Sequence, residues 1–369
     1  MRQCIYCNKT ETETSFKARE HVIPKLLGTF QNNPTLIGWV CDNCNSIIFN
    51  PLETKFKEDT EEGIYYQMFN FENSCQIRIS GKKIKTTFSS GLGDDFFNEW
   101  FPFLRWQDSD WKVFLLPQIK IKRYGDTGYL VLLVDGLKNL DRNGSEFLNI
   151  KKLLQGVESK NVRIFTGIKG PDDDSMLQEA ITLVRELGID YKSGTNKISP
   201  ALGKDTEKQF EINMHCTVGN DIGRVIAKIA FNYFAYCAIQ SRQEKILYHP
   251  NFSKIKSYVL GDLDLPVKEI ITDLSSEPLL YHERDSDKRL LGHIVTFSQD
   301  SVSVIVRVSL LNLRTYTVVI GPAMQELQRS DFGCGHIFDP INHEILQLTQ
   351  NPSKQGSGLQ AGFGLFNRI

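Results

Sequence analysis

The sequence predicts an α+β fold, with a small cysteine-stapled module leading into a larger mixed α+β region. Three observations carry this expectation. Four of the eight cysteines fall in two C-x-x-C pairs within the first 44 residues. At 369 residues the chain is longer than one ordinary domain, so two or three are expected. Beyond the cysteines, helix-like and strand-like patterns alternate without a regular βαβ rhythm, which favours α+β over a parallel doubly wound sheet.

Composition narrows the classes. Apolar residues make up 41% and charged residues 24%, as in ordinary globular chains. No apolar run reads as long enough to span a bilayer, and the N-terminus lacks the apolar stretch of a signal peptide, so a cytoplasmic location is expected. The formal charge of −1 argues against a broad phosphate-binding surface. Residues 1 to 60 hold 7 Lys and Arg against 7 Asp and Glu, so any nucleic-acid contact there depends on placement.

The elements follow in order. A helix is expected from about Asn50 to Phe69. Alternation at Ile77, Ile79, Ile84 and Phe88 around Ser80-Gly81-Lys82-Lys83 suggests a β-hairpin. Val113 to Ile121, Gly128 to Val134 and Val162 to Thr166 read as strands. A helix over Asp173 to Leu187 places Leu177, Ile181 and Val184 on one face. Residues 193 to 208 are rich in Gly, Ser, Pro and Lys and form the best internal boundary. A strand, Phe210 to Val218, precedes the clearest helix, Asp221 to Gln240, whose apolar residues recur with a 3.6-residue period. Gly292 to Val308 and Leu313 to Gly321 read as strands, and 353 to 369 as a loose tail. The expected division is 1–62, 63–200 and 201–369.

In a cytosolic chain, paired C-x-x-C spacing indicates metal binding. Cys4, Cys7, Cys41 and Cys44 form two knuckles able to close a tetrahedral Cys₄ site, the geometry of structural Zn²⁺. About 60 residues bury little core by themselves, so such a staple is physically useful. A closed site leaves no open coordination position. Any catalysis therefore rests on other residues.

Between the knuckles lie Arg19-Glu20-His21-Val22-Ile23-Pro24, and Asn45 follows the last cysteine. The ordered set C-x-x-C, EHVIP, C-x-x-C-N, over residues 4 to 58, resembles the HNH endonuclease family. The resemblance implies a β-hairpin and a helix around one metal, the ββα-metal fold. It implies His21 as general base, with Glu20 and Asn45 as ligands of a catalytic metal. A carboxylate with an amide oxygen favours Mg²⁺ or Mn²⁺. Glu20 stands where the family usually has aspartate. The family's middle asparagine matches either Asn32 or Asn33. The resemblance makes nucleic acid the partner, DNA favoured over RNA. Some family members in anti-phage defence carry C-terminal sensing domains, but no residue pattern here identifies one. The competing reading is a non-catalytic zinc ribbon that binds nucleic acid or protein.

In the remainder, Arg224 and Lys228 are spaced i, i+4 on the polar side of the long helix. They are candidates for nucleic-acid or ligand contact, against the blander reading of a solvated face. His215 and Cys216 read as structural strand residues. Cys334, His336 and His343 lack paired metal-ligand spacing. Trp100, Phe101, Phe103, Trp106 and Trp111 read as core. A homo-oligomer or a regulatory ligand is compatible with this region.

Overall fold

The computed structural model describes residues 2–69, 76–79, 84–89, 103–107, 110–114, 116–122, 128–166, 173–191, 211–216, 218–261, 265–282, 285–328, 335–350 and 363–368. The chain divides into two compact units. One joins Met1–Phe56 to Val218–Ile369, and the other is Lys57–Thr217. The cysteine module thus shares its unit with Val218–Ile369. Cys334 and the 193–208 stretch lie outside the described residues, as do Trp100 and Phe101.

The N-terminal segment is largely irregular, held by short backbone ladders. Val22 N–H donates to Pro34 O (3.0 Å) and Leu36 N–H to Glu20 O (2.8 Å), flanking an antiparallel bridge between His21 and Thr35. A π-helical turn, Asn43–Phe49, then runs into helix α1 (Asn50–Asp59). Two short extended arms and a helix are therefore present in the expected order. The single helix expected to Phe69 is in fact two, α1 and α2 (Glu61–Phe69), separated at Thr60.

In the Lys57–Thr217 unit the strands are β1 (Gln76–Ile79), β2 (Ile84–Ser89), β3 (Phe103–Gln107), β4 (Asp110–Phe114), β5 (Gln118–Lys122), β6 (Tyr129–Leu133), β7 (Val162–Phe165) and β8 (Glu211–Cys216). The helices are α3 (Val134–Lys138), α4 (Ser145–Leu153) and α5 (Asp173–Glu186). Strands β1, β6, β5 and β7 form one antiparallel sheet in that order. Its Ile119, Ile121, Leu130 and Leu132 pack with Phe147, Ile150, Ile181 and Val184 in a buried core. The hairpin expected over Gln76 to Phe88 does not form: β1 pairs with β6, and β2 pairs with β8. Alternation reports a half-buried strand, not its partner. His215 and Cys216 lie in β8, as expected, and Phe103 is buried.

The last third begins with α6 (Asn220–Gln240) and α7 (Ser253–Leu260). Strands β9 (Ile271–Ser275), β10 (Tyr281–His282), β11 (Asp285–Arg289), β12 (His293–Gln299), β13 (Ser303–Leu310) and β14 (Arg314–Pro322) follow. After a short helix α8 (Gln325–Gln328) come β15 (Gly335–Asp339), β16 (Glu344–Gln350) and β17 (Phe363–Arg368). Seven of these form an antiparallel sheet ordered β17-β16-β15-β12-β13-β14-β9. The tail reading is thus corrected over Phe363–Arg368, which pairs with β16. Helix α6 packs on α7 and on β12, β13 and β14. It is long and apolar enough to cross a membrane, contrary to the sequence reading, yet 83% of that stretch is buried inside the protein. Phe231, Phe234 and Phe252 interlock at its contact with the short helical turn Pro250–Phe252, and Phe234 stacks on Phe297 of the sheet.

The sheet also grips the loop after His21. His293, fully buried, has Nδ1 accepting from Leu311 N–H (3.2 Å), so its Nε2–H donates to Leu27 O (2.7 Å). Phe30 meets Phe338 edge-on, and Gln31 N–H donates to His343 O. Gly28 sits at φ +144°, and a Cβ there would lie 2.7 Å from the Phe30 ring, so glycine is required. Tyr233 O–H and His336 Nδ1 pair at 2.8 Å, which fixes α6 to β15.

Burial lowers His293 and His336 to about 4. The unfolded chain binds those protons near pH ~6.5. A folded-state value below the unfolded one means stability is whole above that pH and is lost as pH falls toward 4. For fully buried His293 the loss approaches about 3 kcal/mol. Thermal unfolding at pH 7.5 and 5 should therefore show a clear drop in Tm, and a shallower drop in the His293→Gln variant. Equal pH slopes in the two proteins would remove His293 from the account.

Candidate functional site

The four cysteines converge. Their sulfurs all lie within 4.8 Å of one another, with Cys4 Sγ to Cys44 Sγ at 3.9 Å and Cys7 Sγ to Cys41 Sγ at 3.6 Å. Thiolates ~2.3 Å from one tetrahedral Zn²⁺ stand ~3.8 Å apart, so the donor set fits that ion. The local backbone explains the convergence. Asn8, at φ 60°, closes the first knuckle with its N–H on Cys4 O, and Asn45 N–H closes the second on Cys41 O. Cys41 N–H points at Cys4 Sγ (3.5 Å). Cys4 falls to about 5 through its bond to Cys44, and burial lifts Cys7 to about 11. Cys44 is raised by its bond to Cys4 and by burial. A dication held by Cys4, Cys7, Cys41 and Cys44 would ionise all four thiols.

A second cluster lies around Glu20 and His21. His21 is half-buried on the first extended arm, and its Nδ1 lies 3.1 Å from the Asn33 carboxamide nitrogen. Asn32 is exposed at φ 53°, so Asn33 is the asparagine that meets the histidine. The Asn33 oxygen is buried and has no hydrogen-bond partner. The tautomer follows the orientation of this amide: its oxygen at the ring leaves the proton on Nδ1 and a lone pair on Nε2, and its nitrogen at the ring the reverse. Burial, then the Lys25 and Lys228 charges, lower His21 to about 4, so its ring is neutral at pH 7.

Glu20 is almost fully buried. Its Oε1 accepts from Lys228 Nζ and from Asn232 Nδ2 (2.7 Å). Asn232 Nδ2 also reaches His21 O (3.2 Å), and Asn232 Oδ1 accepts from Tyr6 O–H (2.7 Å). Lys228 Nζ donates in addition to Glu53 Oε1 of α1 (2.6 Å). Burial alone would push Lys228 down, but the Glu20 and Glu53 carboxylates outweigh it and hold the ammonium at about 12. Burial pushes Glu20 up, opposed by the Lys228 charge. We take Lys228 as charged, because two carboxylates contact it directly.

The pair Arg224 and Lys228 is corrected by this geometry. Lys228 is 1% exposed and points into the protein, so it cannot serve as a solvated or nucleic-acid-contacting side chain. Arg224 is half-buried, and its Nε donates to Val259 O near the end of α7 (3.1 Å). His336 and His343 are occupied by Tyr233 and by Thr29 O.

Glu20 and His21 are thus brought together with Asn33. Asn45 is half-buried beside the cysteine knuckle, and no hydrogen bond joins it to Glu20 or His21 among the described residues. The donor chemistry fits a hard cation. Both donors to Glu20 use Oε1, and Oε2 makes no hydrogen bond among the described residues. Lys228 Nζ thus contacts two carboxyl groups, Glu20 and Glu53. Sequence reasoning missed Glu53, Asn232 and Tyr6. The one available signal was a lysine and an asparagine, one helical turn apart, inside the most apolar helix.

Comparison with known proteins adds one finding. The HNH endonuclease family model matches residues 4–60. No curated protein and no solved structure matches the chain. The N-terminal region therefore carries a module of a nucleic-acid-cleaving family, with a cysteine cluster able to hold a metal ion.

Proposed function

We propose that the chain is a metal-dependent endonuclease that hydrolyses phosphodiester bonds, DNA favoured over RNA, with His21 as general base. The observation that carries this reading is His21 itself. It is neutral, partly open to solvent, held at Nδ1 by Asn33 and adjacent in sequence to a buried carboxylate. A neutral imidazole accepts the proton of an attacking water through Nε2, while the residue on Nδ1 fixes tautomer and ring orientation. Glu20 and Asn45 are the proposed holders of Mg²⁺ or Mn²⁺, which when bound would offset charge on the scissile phosphate and the leaving oxygen. Zinc at Cys4, Cys7, Cys41 and Cys44 remains structural.

The chain's other parts supply context. Residues 57–217 and the C-terminal sheet are proposed to add substrate grip, self-association or ligand-gated control, since a net charge of −1 gives little general attraction to phosphate. A cytoplasmic, anti-phage role is compatible with a nuclease that must be restrained. One observation favours the second reading, a non-catalytic zinc module: Lys228 already neutralises Glu20. Supercoiled plasmid, linear duplex DNA and single-stranded RNA, each incubated with the full chain and Mg²⁺ or Mn²⁺, separate the readings. Nicking or linearisation of DNA is expected. Binding without strand scission on every substrate would favour the second.

A further inference from the structure

We propose that Lys228 and Asn232 of α6 are positioning residues of the active site, holding Glu20 so that its second oxygen is left for a divalent cation. This rests on the nuclease reading. Lys228 and Asn232 are one turn apart, so they share a helix face. Both are buried, and both reach Glu20 Oε1 across more than 200 residues of sequence. The Asn232 amide is itself fixed at three points, by Tyr6 O–H, Glu20 and His21 O. Its flip is therefore set, and it ties the backbone of His21 to the carboxylate beside it.

A buried ammonium facing one carboxylate would be a closed pair. Here it contacts two, Glu20 and Glu53. Glu53 is 18% exposed at its side chain, against 3% for Glu20, so the cluster opens to solvent on the Glu53 side. Lys228 thus does two opposed things. It orients Glu20, and its charge lowers the affinity for the incoming cation.

The test uses the zinc-loaded full chain and follows Mn²⁺ binding by electron paramagnetic resonance together with DNA cleavage at saturating Mn²⁺. Lys228→Met should bind Mn²⁺ about tenfold tighter, because a repelling charge is gone, yet cleave at least about tenfold more slowly, because Glu20 is no longer held. Lys228→Arg keeps the charge and should restore wild-type Mn²⁺ affinity. Should Lys228→Met fail to fold, Glu53→Gln at the partly exposed position removes a carboxyl group beside Lys228 and should weaken Mn²⁺ binding about tenfold. Unchanged Mn²⁺ affinity in Lys228→Met or Glu53→Gln overturns the proposal, as does a parallel fall of affinity and rate in Lys228→Met. Failure of the nuclease reading looks different: the variants shift Mn²⁺ affinity as stated, but the wild-type chain cuts nothing.

Discussion

Replacing Cys44 with serine is expected to release the zinc and unfold the N-terminal part of its unit. Cys44 is fully buried, and its sulfur is 3.9 Å from Cys4 Sγ. Cys44 lies in the π-helical turn Asn43–Phe49, and the residues before it hold only short backbone ladders and the 3-10 turn Lys25–Leu27. Metal ligation therefore adds to the buried apolar residues of this segment, among them Ile5, Val22, Ile23, Leu36 and Val40. Structural zinc sites contribute on the order of 10 kcal/mol of binding free energy, which is folding free energy where no site preexists in the unfolded chain. The damage should spread to α6. Tyr6 packs edge-on against Phe49 and Phe231, and its hydroxyl donates to Asn232. Metal analysis should find zinc well below one per chain, and calorimetry should show an early transition. One retained zinc with unchanged unfolding would refute the Cys₄ site.

Changing His21 to alanine should leave that zinc and the fold in place and remove cleavage. The histidine is half-buried and its side chain makes one hydrogen bond, to Asn33, so its loss disturbs little packing. A positioned general base is worth about 10² to 10⁴ in rate. The expected result is a loss of about 10²-fold or more in single-turnover cleavage, with zinc content and Tm close to wild type. Near-normal cleavage by the folded variant would place the base elsewhere.

What could be read in the sequence was whatever depends on neighbours a few residues away. The C-x-x-C knuckles, the 3.6-residue period of α6 and the apolar face of α5 are of that kind, and so is the Glu20-His21 pair between the knuckles. What could not be read depends on distant partners. Ile77 and Ile79 mark a strand, but only the folded unit pairs it with β6 and not with Ile84–Ser89. Lys228 looked like a surface residue because its counter-charges, Glu20 and Glu53, lie 208 and 175 residues away. Asn32 and Asn33 were equivalent in sequence, and backbone conformation separates them: Asn32 turns outward, and Asn33 faces His21. The grouping of Met1–Phe56 with Val218–Ile369 follows from the same long-range contacts.

The central claim is that one metal holds the module together and a second, exchangeable one supports cleavage by its histidine centre. The most direct measurement treats the full chain briefly with EDTA, removes the chelator, counts the zinc retained and then follows plasmid cleavage as Mg²⁺ or Mn²⁺ is restored. The account predicts about one zinc per chain throughout, no cleavage after EDTA, and full recovery on adding Mg²⁺ or Mn²⁺ without zinc. Cleavage that persists in EDTA, or that no divalent ion elicits from folded, zinc-loaded protein, would contradict it.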